Sequence, residues 1–449
     1  MSKKGNPIEL GTKNVWKLLM QYAIPSVIAM TASSLYNITD SIFIGQGVGA
    51  LAIAGLAITF PMMNLAAAFG SMVGVGAATL MSLRLGQKDY DSANKILGNV
   101  FVLNLVFGVA YTLVILTFLD PILFFFGASV ETISYARDYM QIITLGNVVT
   151  HMYLGLNALL RATGKPRVSM YSTIFSVVIN IGLTALFIYG LGWGIRGAAL
   201  ATVIAQTSML MWQIKIFSNK KEFVHLKRNT LHVERKIVLD SLSIGMAPFL
   251  MNVAMSAVII VINQSLVRHG GDMAVGAFGI INRVLIFFPM VVLGLTQGMQ
   301  PVVGYNFGAR NIERVNKALK YTILLATGVT SLGFIMGMFF PEQVARLFTR
   351  DKVLIDIVVP GLRTVLIVFP IVGFQMVVSN FFQSVGMARK AIFMSLTRQV
   401  FFLLPSLFIL PRFFGVMGVW YSMPLSDLLS GLVAVYMLVV QYRKSILKL

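Results

Sequence analysis

Apolar residues run through this chain in long, nearly unbroken stretches, each ended by charges, Gly, Pro or Asn. Crossing about 30 Å of hydrocarbon takes roughly 20 apolar residues in a helix. Twelve such spans are predicted, over residues 17–45, 52–82, 94–119, 134–160, 166–190, 194–218, 237–266, 274–305, 317–340, 354–384, 391–411 and 415–440. None alternates apolar with polar positions as the strands of a membrane β-barrel do. The expected fold is therefore an all-α integral membrane protein of twelve transmembrane helices. The first apolar run is far longer than the core of a secretion signal, and Met1 to Asn14 is polar, so no cleavable leader is expected.

The pattern also repeats. Gly76 and Gly86 match Gly298 and Gly308 at an offset of 222, as Asn94-Lys95 matches Asn316-Lys317, and Gly164 and Arg167 match Gly386 and Arg389. Gly194 and Gly197 match Gly415 and Gly418 at 221, and Pro25 matches Pro248 at 223. Two six-helix lobes are expected, residues 1–218 and 237–449, joined by a basic cytoplasmic linker, 219–236. Six is even, so both lobes enter the membrane from one side and the repeat is parallel, with its axis along the membrane normal. Transporters place substrate between such halves and rock them.

Composition sharpens the class. The chain is 57% hydrophobic and 12% charged, with a mean hydropathy of +0.82. A net charge of +20 raises the possibility of a nucleic-acid partner. The spans instead place 26 of the 36 Lys and Arg in cytoplasmic segments and only six outside, namely Arg196, Arg268, Arg346, Arg350, Lys352 and Arg412. This is the positive-inside bias, so the basicity reports topology: no nucleic acid is expected and both termini should be cytoplasmic. Cysteine is absent and the four His are scattered, which leaves no thiolate or His-cluster metal site. There is no GxxxxGK[ST] motif for ATP and no nucleophile elbow, so no enzyme and no cofactor are expected.

Chemistry narrows to one residue. Of 16 acids, only Asp40 and Asp427 lie well inside an apolar run. A carboxylate there costs from about 3 kcal/mol on insertion scales to about 10 or more in simulations, and such residues usually face a cavity and handle ions or protons. Asp40 maps across the repeat to Asn263, which cannot ionise, so coupling chemistry is expected in the N-terminal lobe. Tyr36 lies one turn earlier on the same face. Arg283 and Arg398 also lie within spans, and the simplest reading of them is ion pairing, with Asp427 as a partner, or snorkelling to an interface. Pro25, Pro61, Pro248, Pro289 and Pro301 interrupt spans and should kink them.

The stretch SLYNITDSIFIG (Ser34 to Gly45) resembles the first helix of the multidrug and toxic compound extrusion (MATE) transporters. So do GVGAATLMSLRLGQKDYDSANKILGN (Gly74 to Asn99), LLRATGKPR (Leu159 to Arg167) and QGMQPVVGYNFGA (Gln297 to Ala309) in their order and spacing. The resemblance implies two six-helix lobes around a central cleft, exporting amphiphilic, often cationic compounds against an H⁺ or Na⁺ gradient by alternating access. It is nearest the DinF-like branch, in which a first-helix Asp handles the coupling ion beside a Tyr, an Asn, a second Asp and a Thr. The matching positions are Asp40, Tyr36, Asn180, Thr184 and Thr202, with Thr184 standing where the pattern has its second Asp. One carboxylate suits a proton better than Na⁺, because burial makes a carboxyl group hold its proton more readily. H⁺ coupling is therefore expected, with Na⁺ coupling or lipid-linked saccharide flipping as alternatives. Asn37, Asn157 and Arg283 are expected to line the substrate cavity. The expected partners are small-molecule drugs or toxic organic cations and membrane lipids, and the expected state is a monomer in a bacterial-type cell membrane.

Overall fold

The computed structural model describes residues 8–227 and 230–446, which leaves both extreme termini and residues 228–229 of the expected linker outside the described residues. Among the described residues there is helix and no strand. The twelve expected spans correspond to α1 (Val15–Gly47), α2 (Ala50–Gly86), α3 (Tyr90–Thr117), α4 (Ile133–Leu145 with Asn147–Ala162), α5 (Pro166–Gly190) and α6 (Gly194–Phe217), then α7 (Arg235–Gly271), α8 (Met273–Gly308), α9 (Ile312–Phe339), α10 (Lys352–Leu366 with Phe369–Ser384), α11 (Ala388–Phe414) and α12 (Val416–Ile446). Nine of these are long and apolar enough singly, and α4 and α10 qualify as bent pairs. The remaining helix, α6, has 24 residues, enough at about 1.5 Å each to span about 30 Å.

Two of the expected continuous spans are broken. α4 bends by 54° at Gly146 and α10 by 50° between Leu366 and Phe369. The second break precedes Pro370, whose ring favours a helix start over a helix interior. The two breaks fall at repeat-related positions, so the bend is a property of the duplicated unit.

The repeat extends to backbone detail. Asp89 caps α3 by accepting from the Ser92 amide, and its repeat mate Asn311 caps α9 by accepting from the Arg314 amide. Each cap follows a residue with positive φ, Lys88 at 61° and Arg310 at 58°. The repeated Gly164 and Gly386 also take positive φ, 92° and 75°, where any side chain would be strained.

Other repeated glycines form the seam between the lobes. A methyl group on Gly76 of α2 would overlap the Ser241 carbonyl of α7, and one on Gly298 of α8 would overlap the backbone of Ala23 in α1. Gly86 meets the Tyr305 carbonyl while Gly308 meets that of Leu83, a self-symmetric pair. Gln300 of α8 donates to Val75 O at 3.2 Å and to Thr79 Oγ1 at 2.5 Å. All of these contacts lie toward the face that carries the α2–α3, α4–α5 and α8–α9 turns, rich in Lys and Arg and here called the basic face. The halves of α2 and α8 nearest that face are buried almost throughout, whereas their other halves expose positions every few residues. The lobes are thus packed closely against each other at the basic face, and the exposure of α2 and α8 rises toward the opposite one.

Each lobe is also tied to the segment leading into the other. Ahead of α1, the Leu10 carbonyl accepts from Asn306 (2.9 Å) and Arg314 (3.1 Å), and the Lys13 carbonyl accepts from Arg314 (2.6 Å), both donors lying in the second half of the chain. Ahead of α7, Asn94 Oδ1 accepts from the His225 amide (2.9 Å), while Asn99 donates to His232 O (3.3 Å) and accepts from the Glu234 amide (3.1 Å). The expected linker is therefore moored to α3. Arg314→Ala should cost about 2 kcal/mol, since it removes charge-assisted bonds to two carbonyls. Trypsin cleavage after Lys13 should speed up in the purified variant, and an unchanged cleavage rate would contradict this role of Arg314.

Candidate functional site

α1 is capped by Asn14, whose side chain accepts from the Trp16 and Lys17 amides, and runs from Val15 through Pro25 to Gly47. Asp40 lies seven residues before that end, about 10 Å along the axis, and is only 6% exposed. It faces α5 and α6. Thr184 of α5 donates from Oγ1 to Asp40 Oδ1 at 3.5 Å, the long limit of a hydrogen bond, and lies 3.3 Å from Asn180 Oδ1. Asn180 Nδ2 donates to Thr202 Oγ1 of α6 at 3.0 Å, and the Tyr36 hydroxyl lies 2.9 Å from the same oxygen. Thr202 in turn donates to the Ala198 carbonyl at 3.2 Å. A hydroxyl has one proton and two acceptor sites, so Thr202 is satisfied when both Asn180 and Tyr36 donate to it.

The five residues Asp40, Tyr36, Asn180, Thr184 and Thr202 therefore form one bonded cluster drawn from three helices. Thr184, with a single proton, can serve Asp40 or Asn180 but not both. Among the described residues Asp40 has no Lys or Arg within ion-pair distance. The other deep acid, Asp427 of α12, does, being paired with Arg398 of α11. That pair is the one anticipated from the sequence. Tyr139 of α4, fully buried in the apolar cluster that also holds Ile44 and Ala198, adds a further hydroxyl to the surroundings of Tyr36 and Asp40. The sequence carried no signal for it beyond its place in an amphipathic segment.

Three other residues were expected at the site, Asn37, Asn157 and Arg283. The side chain of Asn37 lies outside the described residues. Asn157 of α4 is buried against α5, donating to Ser169 O and Thr173 Oγ1 (both 3.3 Å) and accepting from Arg161 at 2.8 Å. Arg283 of α8 is exposed, with its guanidinium 5.7 Å from the centre of the Phe348 ring. Neither joins the Asp40 cluster. Among the described residues no group of three or more His, Cys, Asp or Glu converges as metal ligands.

The sequence profile of the MatE family matches the chain twice, over residues 25–186 and 248–408, one match in each half. The chain is 28% identical over 423 residues to a multidrug export protein, MepA, of Staphylococcus haemolyticus, covering 94% of this chain and 93% of that protein. A solved outward-facing multidrug resistance MATE transporter of the MOP superfamily superposes with a TM-score of 0.92 at 26% identity over the whole of both chains. A MOP superfamily transporter from Pyrococcus furiosus, described as having a binding pocket of reversed polarity that suggests a different function, superposes at 0.91, again with 26% identity and full coverage of both. With a duplicated six-helix plan, lobes packed together at one face and both halves matched, the chain belongs to the MatE family, the multidrug and toxic compound extrusion transporters.

Proposed function

We propose that this transporter is a multidrug exporter that exchanges amphiphilic, often cationic compounds for protons, with Asp40 carrying the proton. The observation behind this reading is that, among the described residues, Asp40 is the deep acid with no cationic partner, held instead by one weak hydroxyl at the edge of a bonded cluster. An uncompensated carboxylate in a water-poor site is costly, and a cationic drug or a proton each relieves that cost. The two then compete for one charge, which is the requirement for antiport.

Thr184 supplies the switch. While Asp40 is charged, the Thr184 proton is drawn to it. Once Asp40 is protonated that need ends, and Thr184 turns to Asn180 Oδ1, 3.3 Å away. Asn180 is bonded to Thr202, and Thr202 to Tyr36, so the change reaches α6 and returns to α1. In the proposed cycle Asp40 takes a proton through the open cleft, drug is released there, and the proton leaves after the lobes rock. The basic face is cytoplasmic in this scheme, both termini lie there, and the protein acts as a monomer in a bacterial-type cell membrane without a cofactor.

The oxygens of Asp40, Thr184 and Asn180 converge closely enough to favour Na⁺ as a second reading. Proteoliposomes loaded with a fluorescent cation distinguish the two. An imposed pH gradient should drive export and an equal Na⁺ gradient should not; the reverse result would replace the proton with Na⁺.

A further inference from the structure

The two lobes bend α4 and α10 by different means. In α10, Pro370 lacks the amide that a continuous helix would bond to the Leu366 carbonyl, so covalent structure interrupts the helix there. At the offset of 222 its place in α4 is held by Val148, whose amide is intact. A side chain intervenes instead. Thr112 of α3 donates at 2.8 Å to the Thr144 carbonyl, the acceptor that a straight α4 would give to Val148.

Unpartnered polar atoms gather at this bend. Among the described residues nine buried side-chain nitrogens and oxygens bond with no protein group, and five of them fall on four residues here. They are both amide atoms of Asn104 in α3, with Thr144 Oγ1, Asn147 Nδ2 and His151 Nδ1 in α4. The other four are single atoms on α6, α7, α10 and α11. Asn104, Thr144 and His151 are fully buried and Asn147 is 2% exposed. Thr144, Asn147 and His151 follow one another at steps of three and four along one side of α4. Gly155, one turn beyond His151, approaches α3 so closely that a methyl group on it would overlap Asn104 Nδ2.

The hydrogen-bonding capacities are complementary. The Ala66 carbonyl of α2 lies 2.9 Å from His151 Nε2, and a carbonyl only accepts, so Nε2 carries the proton and Nδ1 of the neutral ring is an acceptor. Tyr111 of α3, with its ring centre 6.3 Å from the imidazole, donates to Met62 O at 2.7 Å and leaves Nδ1 unserved. No other titratable or charged side chain occurs in α2 from Ala50 to Leu83 or in α3 from Val100 to Thr117. Asn104 Nδ2 and Asn147 Nδ2 therefore offer protons, Asn104 Oδ1 and His151 Nδ1 accept them, and Thr144 can do either. Water, which donates two hydrogen bonds and accepts two, fits such a set, whereas a cation would face two N–H donors.

The repeat provides an internal control. Asn104, Thr144, Asn147 and His151 become Ala326, Leu366, Phe369 and Gly373, and Thr112 becomes Phe334. Thr330, at the position of Gly108, has its hydroxyl bonded to the Ala326, Thr327 and Pro370 carbonyls. The polar set thus occurs in the lobe whose bend lacks a proline.

We infer that α2, α3 and α4 enclose a site for water, bounded by Asn104, Thr144, Asn147 and His151, which ties the two halves of α4 to each other and to α3 at the bend. The site does not depend on which ion drives transport. In protein labelled with ¹⁵N-histidine and embedded in lipid, the signals lost in His151→Gln belong to His151. Solid-state spectra of wild type should show Nε2 protonated, Nδ1 bare and polarisation passing from water protons to Nδ1. In Asn147→Leu that transfer should fall at least about twofold, since one of the water's donors is gone. The thermal unfolding midpoint of the variant should also drop by a few degrees, because the change strands the water's remaining partners. If no polarisation reaches Nδ1 in wild type, or if Nδ1 carries the proton, the site is refuted whatever the variant does. If the midpoint of Asn147→Leu stays or rises, the amide had no partner to lose, and the tie across the bend is refuted.

Discussion

Asp427→Ala should destabilise the protein by about 3–5 kcal/mol, the largest stability effect expected of any single polar substitution in the C-terminal lobe. Asp427 is 2% exposed and Arg398 is its ion-pair partner between α12 and α11. Removing the carboxylate leaves a guanidinium, which cannot shed its proton, among apolar side chains. The double replacement Arg398→Met with Asp427→Leu should recover most of the loss, since two apolar groups of similar size need no compensation there. Unfolding in mixed micelles measures both. A double variant as unstable as Asp427→Ala would show that the pair contributes more than mutual neutralisation. The exposed pair Arg137–Asp120, by contrast, should be worth no more than about 1 kcal/mol.

Much of this architecture was legible in the chain because membranes impose few solutions. Spans, their number and the duplication follow from hydropathy and from glycines at a fixed offset. The structure gives those glycines their physical reason: Gly76, Gly86, Gly298 and Gly308 are where backbones of opposite lobes touch. The bends in α4 and α10 were not legible. Gly146 alone does not break a helix, and Pro370 reads equally as a kink, until each is set against the other half. Of the site residues, Asp40 stood out by cost alone, while Asn180, Thr184 and Thr202 were reached through resemblance and are joined to it in space. Asn157 was expected to line the substrate cavity, and hydropathy alone shows none of the hydrogen bonds that it makes. Its partners, Arg161 and Ser169, lie on both sides of a turn that hydropathy cannot fold.

Asp40→Asn should reduce pH-driven export about a hundredfold or more while leaving the fold intact. Asparagine keeps the size of the side chain, removes the charge and, like a protonated carboxyl, can donate a hydrogen bond. The variant should therefore behave as the proton-loaded form, binding a cationic drug more weakly at every pH, whereas wild-type binding should tighten as pH rises because the proton and the drug compete. Reciprocity requires that a drug which is displaced by a proton also displaces one. The most direct measurement is proton release on drug binding, in purified protein with an indicator dye and little buffer, between about pH 5 and 9. Wild type should release up to roughly one proton per molecule at some pH in that range, and Asp40→Asn none. Equal release from both proteins would mean that another group carries the proton, and would contradict the role given to Asp40.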